Sequence, residues 1–153
     1  MKNIITFISL FLLPVFLISA NAGLVENEII DYKEITLGCL ILGRDIASEH
    51  VINNNVDYQN LLLIASAPIP DCANYELPTI DLTKYTLIGY ISSIAGCQSP
   101  EVTKQITKIN NNFRMNINIV QQGWCERLNH IVFWGLIPKV DDSANVQFTI
   151  VKK

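Results

Sequence analysis

Residues 96–134, GCQSPEVTKQITKINNNFRMNINIVQQGWCERLNHIVFW, constrain the fold more than any other stretch of the chain. Phe113, Met115, Ile117 and Ile119 alternate with Arg114, Asn116 and Asn118. A period of two sends successive side chains to opposite faces of a strand, so this run has one apolar and one polar face. Residues 102–109 alternate less well and carry Lys104 and Lys108, which suits an edge strand. Asn110, Asn111 and Asn112 form the turn between them. Antiparallel pairing through that turn brings Cys97 and Cys125 to one end of the sheet, where a disulfide can close the hairpin.

The bond requires an oxidising compartment, and the N-terminus supplies a route to one. Lys2 precedes an apolar run from Ile4 to Leu17, and Ala20-Asn21-Ala22 fits the small-residue cleavage rule. Residues 1–22 therefore read as a secretory signal peptide cut before Gly23. The run is at the short limit for a membrane span, and no second long apolar segment follows. Residues 23–153 are enough for a single exported domain with its own core, secreted or periplasmic. All four cysteines lie in that part. Four cysteines permit three connectivities. The hairpin argument selects Cys97–Cys125, and elimination leaves Cys39–Cys72.

Elsewhere the pattern is mostly that of strands. Residues 35–42 (ITLGCLIL) and 86–91 (TLIGYI) are apolar on both faces, and 50–52 suggest a short strand. Residues 131–137 (IVFWGLI) show no polar alternation and are the expected central strand, covered on both faces, with Phe133 and Trp134 as core residues. Residues 146–151 alternate and end the domain. Residues 56–66 (VDYQNLLLIAS) are the expected helix, capped by Asn55, with Asp57 at its positive end and Tyr58, Leu61, Leu62 and Ala65 on one face. A strand over residues 61–65 is the alternative. Residues 67–78 hold three prolines and form a loop. The fold class is mainly β (α+β): an antiparallel β-sandwich or partly open barrel of about six strands with one short helix.

Chemistry is sparse. The formal charge of −3 and the absence of a basic cluster argue against nucleic acid. There is no G-x-S-x-G, no H-E-x-x-H and no phosphate-binding glycine loop. No C-x-x-C pair supports zinc. His50 near Asp45 and Glu49 reads as a solvated loop position, and His130 as a turn position. Asp141-Asp142 with Asn145 lacks the ligand spacing of a calcium loop and reads as an ordinary turn. No cofactor, metal or catalytic residue is assigned. The candidate binding surface is Asp81, Lys84 and Trp124. For Asp81 the competing role is to cap a turn, with Lys84 solvated. For Trp124 it is core packing against the Cys97–Cys125 bridge.

The series LPTIDLTKYTLIGY, then GC, the hairpin, GWC and VFWGLIPKV resembles a group of small bacterial exported proteins and lipoproteins of unknown function. More remotely, the helix followed by LP-x-I-D-hydrophobic-x-K and a strand is similar to the C-terminal domain of a protease-complex accessory subunit. That domain has a glycine-glycine-aromatic step after the strand, where this chain has Ala95-Gly96-Cys97. The resemblance implies a mostly β exported domain with protein binding as its role. The expected function is a non-enzymatic extracytoplasmic binding or accessory module, whose partner is another exported protein. A secreted protease inhibitor, using the loop around Cys72 or the turn at 138–145, is the second reading, and an enzyme with an unrecognised site is the third.

Overall fold

The computed structural model describes residues 27–37, 48–65 and 78–153. The signal peptide, the Cys39–Cys72 pair, the strand residues 38–42 and most of the proline-rich loop lie outside the described residues. The described chain is mainly β: β1 (Asn27–Ile29), β2 (Lys33–Glu34), β3 (Ser48–Ile52), α1 (Asn55–Ala65), β4 (Tyr85–Ala95), β5 (Gln98–Ile109), β6 (Asn112–Gln122), β7 (Leu128–Pro138) and β8 (Val146–Lys152). The strands form two open four-stranded sheets, ordered β1-β5-β6-β8 and β2-β7-β4-β3.

The hairpin organises the first sheet as its pattern requires. Phe113, Met115, Ile117 and Ile119 are buried. They meet Ile88, Tyr90, Ile131, Phe133 and Ile137 from the second sheet to form the core between the layers. Asn110 takes the left-handed conformation (φ 56°) that lets a two-residue turn join β5 to β6. Asparagine tolerates this region better than most residues.

The second sheet has a further apolar layer on its outer face. Tyr58 and Leu61 of α1, with Leu37, Ile80 and Leu82, cover Ile52, Leu87, Ile91 and Trp134. The helix is capped one residue earlier than expected: Asn54, not Asn55, accepts the Asp57 N–H at 2.9 Å and donates to the Asp57 carboxylate at 2.7 Å. Any of the three asparagines has the chemistry, but only Asn54 stands three residues before a free N–H that its own side chain reaches. Tyr58 fixes the helix to the following segment by donating its hydroxyl to the Pro78 carbonyl at 3.0 Å.

Three further expectations are corrected. β5 is not a free edge throughout, because β1 pairs with its last residues, Glu28 opposite Lys108. β8 runs parallel to β6, although the sheets are otherwise antiparallel. The chain leaves β7 at Pro138, crosses the end of the sandwich with Val140 buried between the layers, and enters the first sheet beside Phe113. β7 is an inner strand, but it is covered on both faces only from Phe133 to Gly135. Its outer cover reaches Trp134 and stops short of Val132, which is 52 % exposed.

Gly89 faces Trp134 across the β4–β7 ladder, and the indole lies flat on it. A Cβ at Gly89 would stand 2.1–2.7 Å from three ring carbons. Trp134 is itself buried and cannot swing away without disturbing the outer core. Gly89→Ala should therefore destabilise by about 1–3 kcal/mol or more through overpacking, read as a lower urea midpoint. An unchanged midpoint would place the indole elsewhere.

Candidate binding surface

The β4–β5 and β6–β7 connections meet at one end of the sandwich. Cys97 and Cys125 are bonded there, their Cα atoms 4.8 Å apart. The Cys97 N–H donates to the Gln122 carbonyl and the Gly96 N–H to the Arg127 carbonyl, both at 2.9 Å. The buried Asn129 side chain donates to the Gly96 carbonyl at 3.0 Å, and Gln121 donates to the Gly123 carbonyl at 3.1 Å. Gly123 has φ 73°, and a side chain there would press on Cys97 at 3.0 Å. Glycine is needed at that step on both counts.

Trp124 follows directly and is 93 % exposed. Of its two readings, core packing against the disulfide is excluded and surface presentation holds. Indole burial normally removes about 150–250 Å² from water, and this ring forgoes nearly all of it. Its loop is held by a covalent bond and by main-chain hydrogen bonds on both sides. A side chain presented on such a loop loses less freedom on binding than one on a mobile loop.

Asp81 and Lys84 sit at the other end. β4 begins just after them and runs 11 residues to the disulfide end. That length corresponds to about 30–35 Å at strand rise. The structure therefore does not bring them together with Trp124. The Asp81 carboxylate accepts the Thr83 N–H at 3.1 Å and the Thr83 hydroxyl, and it pairs with Lys84 at 3.2 Å. These bonds, the Thr83 hydroxyl first, hold its pKa below the usual carboxylate range. The Asp81 carbonyl also accepts the Lys84 and Tyr85 N–H groups at 3.1 and 3.0 Å. Asp81 thus forms the turn that launches β4. Lys84, although largely exposed, is its ion-pair partner.

Both histidines lie on strands: His50 in the short strand expected at 50–52, and His130 on β7 where a turn was expected. His50 is half-buried on β3, its ring 5.5 Å from Trp134 and its Nε2 2.9 Å from the Ser48 hydroxyl; burial lowers its pKa. His130 is exposed on β7, with Nδ1 2.9 Å from the Ser93 hydroxyl. Asp45 lies outside the described residues, and among those described no three His, Cys, Asp or Glu side chains gather. The turn after β7 is tied inward: the Val140 N–H donates to Thr86 Oγ1 at 2.9 Å, and Lys139 Nζ donates to the carbonyls of Leu82 and Asn53.

Sequence reasoning missed Leu128 and Val132, which are 55 % and 52 % exposed on β7. The signal was present in the alternation Leu128-x-His130-x-Val132, hidden by the apolar residues between. No helix among the described residues is long and apolar enough to cross a membrane. No protein-family model matches the chain, and neither a curated protein nor a solved structure matches it.

Proposed function

We propose that this chain is a non-enzymatic extracytoplasmic binding or accessory module that holds another exported protein through the disulfide end of its sandwich. The observation that carries the reading is Trp124, an indole set almost wholly in water on a loop pinned by Cys97–Cys125. Tryptophan is among the residue types enriched at the energetic centres of interfaces. The resemblance to small exported proteins and to an accessory-subunit domain points the same way. For the inhibitor reading, the turn at 138–145 is anchored by Val140 and Lys139 where a cleft-entering loop would stand free, and the loop around Cys72 lies outside the described residues.

Trp124→Ala should leave the thermal midpoint within a degree or two, since the side chain packs against little. It should also lower affinity for the captured partner by more than about 30-fold, corresponding to a hot-spot cost of at least 2 kcal/mol. Isothermal titration beside a thermal melt separates the two effects. A variant that binds as well as the parent would overturn the reading. Export is part of the same proposal: N-terminal sequencing of the exported protein should begin at Gly23 and read GLVEN. A start at Met1 in that material would contradict it.

A further inference from the structure

Residues 123–127 join β6 to β7 across the disulfide end, and their flanks are fixed. Gln122 pairs with Gln98 on β5, and Leu128 pairs with Ala95 on β4. At the margins of the segment, the Gly123 carbonyl accepts the Gln121 side chain and the Arg127 carbonyl accepts the Gly96 N–H. Between those two carbonyls the ties stop. Trp124, Cys125 and Glu126 are all exposed, and among the described residues none of them makes a hydrogen bond or an ion pair. The Cys97–Cys125 bond is what holds them to the sandwich.

We propose that this bond is a redox switch for the Trp124 surface. An external dithiol opens it, residues 124–126 loosen, and the captured partner is released; reoxidation restores capture. The inference rests on the binding-module reading and adds its regulation.

Access carries the first part. Cys97 and Cys125 are both exposed, so an incoming thiolate reaches the sulfurs without the sandwich opening. Exposed disulfides belong to the labile class, whereas shielded structural ones resist exchange. The thiolate attacks one sulfur and forms a mixed disulfide; the S–S bond breaks and the other cysteine leaves as a thiolate, which takes up a proton. The second sulfur of the dithiol then displaces the first cysteine. Two electrons and two protons have passed to the protein, and the dithiol has become a disulfide.

The two cysteines respond differently once the bond is open. Cys97 keeps its place, because its N–H donates to the Gln122 carbonyl at 2.9 Å and its side chain lies against Gly123. Cys125 has no second hold, so the segment that moves is the one that carries the indole. The effect stays local. The inter-sheet core, including Phe113, Met115, Ile117, Ile131 and Phe133, contains neither cysteine. The ladders reach Gln122 and Leu128 through main-chain pairing alone. A freed Trp124 must be ordered again at each binding event, which costs affinity.

The test compares the oxidised protein with protein reduced by dithiothreitol and then freed of the reductant, so that a partner's own bonds are spared. The amide heteronuclear NOE at residues 124–126 should fall on reduction and recover with glutathione disulfide, while exchange at Phe113, Met115 and Ile117 stays slow. A photoreactive phenylalanine analogue at position 124, mixed with the exported fraction, should give about ten-fold less protein adduct from the reduced form. In the Cys97→Ser, Cys125→Ser pair the NOE should already be low and should ignore the reductant. A response that persists in that pair would assign the effect to Cys39 and Cys72 and overturn the switch. An unchanged NOE in the parent would show that the segment is held by other means, and general loss of slow exchange would make the bond structural; either result overturns the proposal. Equal adduct from both forms would overturn the switch and leave the binding-module reading intact. No adduct from either form would overturn that reading, and the switch with it.

Discussion

Phe133→Ala should destabilise the protein by about 3–5 kcal/mol, the cost of truncating a buried aromatic, and so remove much of the roughly 5–15 kcal/mol that holds a typical domain together. Phe133 is 2 % exposed and lies between the sheets. Tyr32 packs edge-on against it, with ring centroids 5.5 Å apart, and the Lys104 ammonium sits over its face. One truncation therefore opens a cavity and removes the ring against which Tyr32 and Lys104 pack. The surrounding strands are held in two ladders and cannot collapse into the space. Urea denaturation should show a lower midpoint with an unchanged slope. Phe133→Leu, which refills most of the volume, should recover part of the loss. A Phe133→Ala variant with the parent's midpoint would show that the inter-sheet core does not depend on β7.

Loss of the Cys97–Cys125 bond should cost about 3–4 kcal/mol, the chain-entropy value for a loop of this length; the two residues are 28 apart in sequence. The paired Cys97→Ser, Cys125→Ser variant avoids a lone thiol. Its lower midpoint should come with faster amide exchange at Gly96 and Cys97 and in residues 123–127, where the bond adjoins the main-chain contacts. Phe113, Met115 and Ile117, toward the other end of β6, should keep their relative protection. Partner affinity should fall although Trp124 is untouched, because the loop that presents it must then be ordered on binding. Full affinity in the serine pair would mean that preorganisation of the loop contributes nothing.

What the sequence disclosed follows from where its patterns were strict. The alternation from Phe113 to Ile119 left one register for β6, and that register placed the cysteines within bonding reach. The helix was legible from Tyr58 and Leu61, while its cap was ambiguous among three equivalent asparagines. β1 and β2 left no trace, because three and two exposed residues pair through the main chain and need no side-chain pattern. The parallel course of β8 was illegible for a related reason. Its alternation specifies a face, whereas its direction is set by where Val140 crosses between the sheets. The extent of cover over β7 was misjudged at Val132, since apolar character records that a residue can be buried but does not say where the covering layer stops.

The same limit applied to the site. Asp81 and Lys84 drew notice as a charged pair beside an apolar strand, and their geometry is that of a turn. Trp124 could be read as core or as exposed surface from its type alone, and its exposure excludes the core.

The most direct test of the account is site-specific photo-crosslinking of the exported protein in its own compartment. A photoreactive phenylalanine analogue is placed at position 124 and, in a separate protein, at Asn116 on the polar outer face of the first sheet. The account predicts one dominant protein adduct from position 124 and none from position 116. Equal yields of the same adducts from both positions would mean that the disulfide end is ordinary surface, and would contradict it.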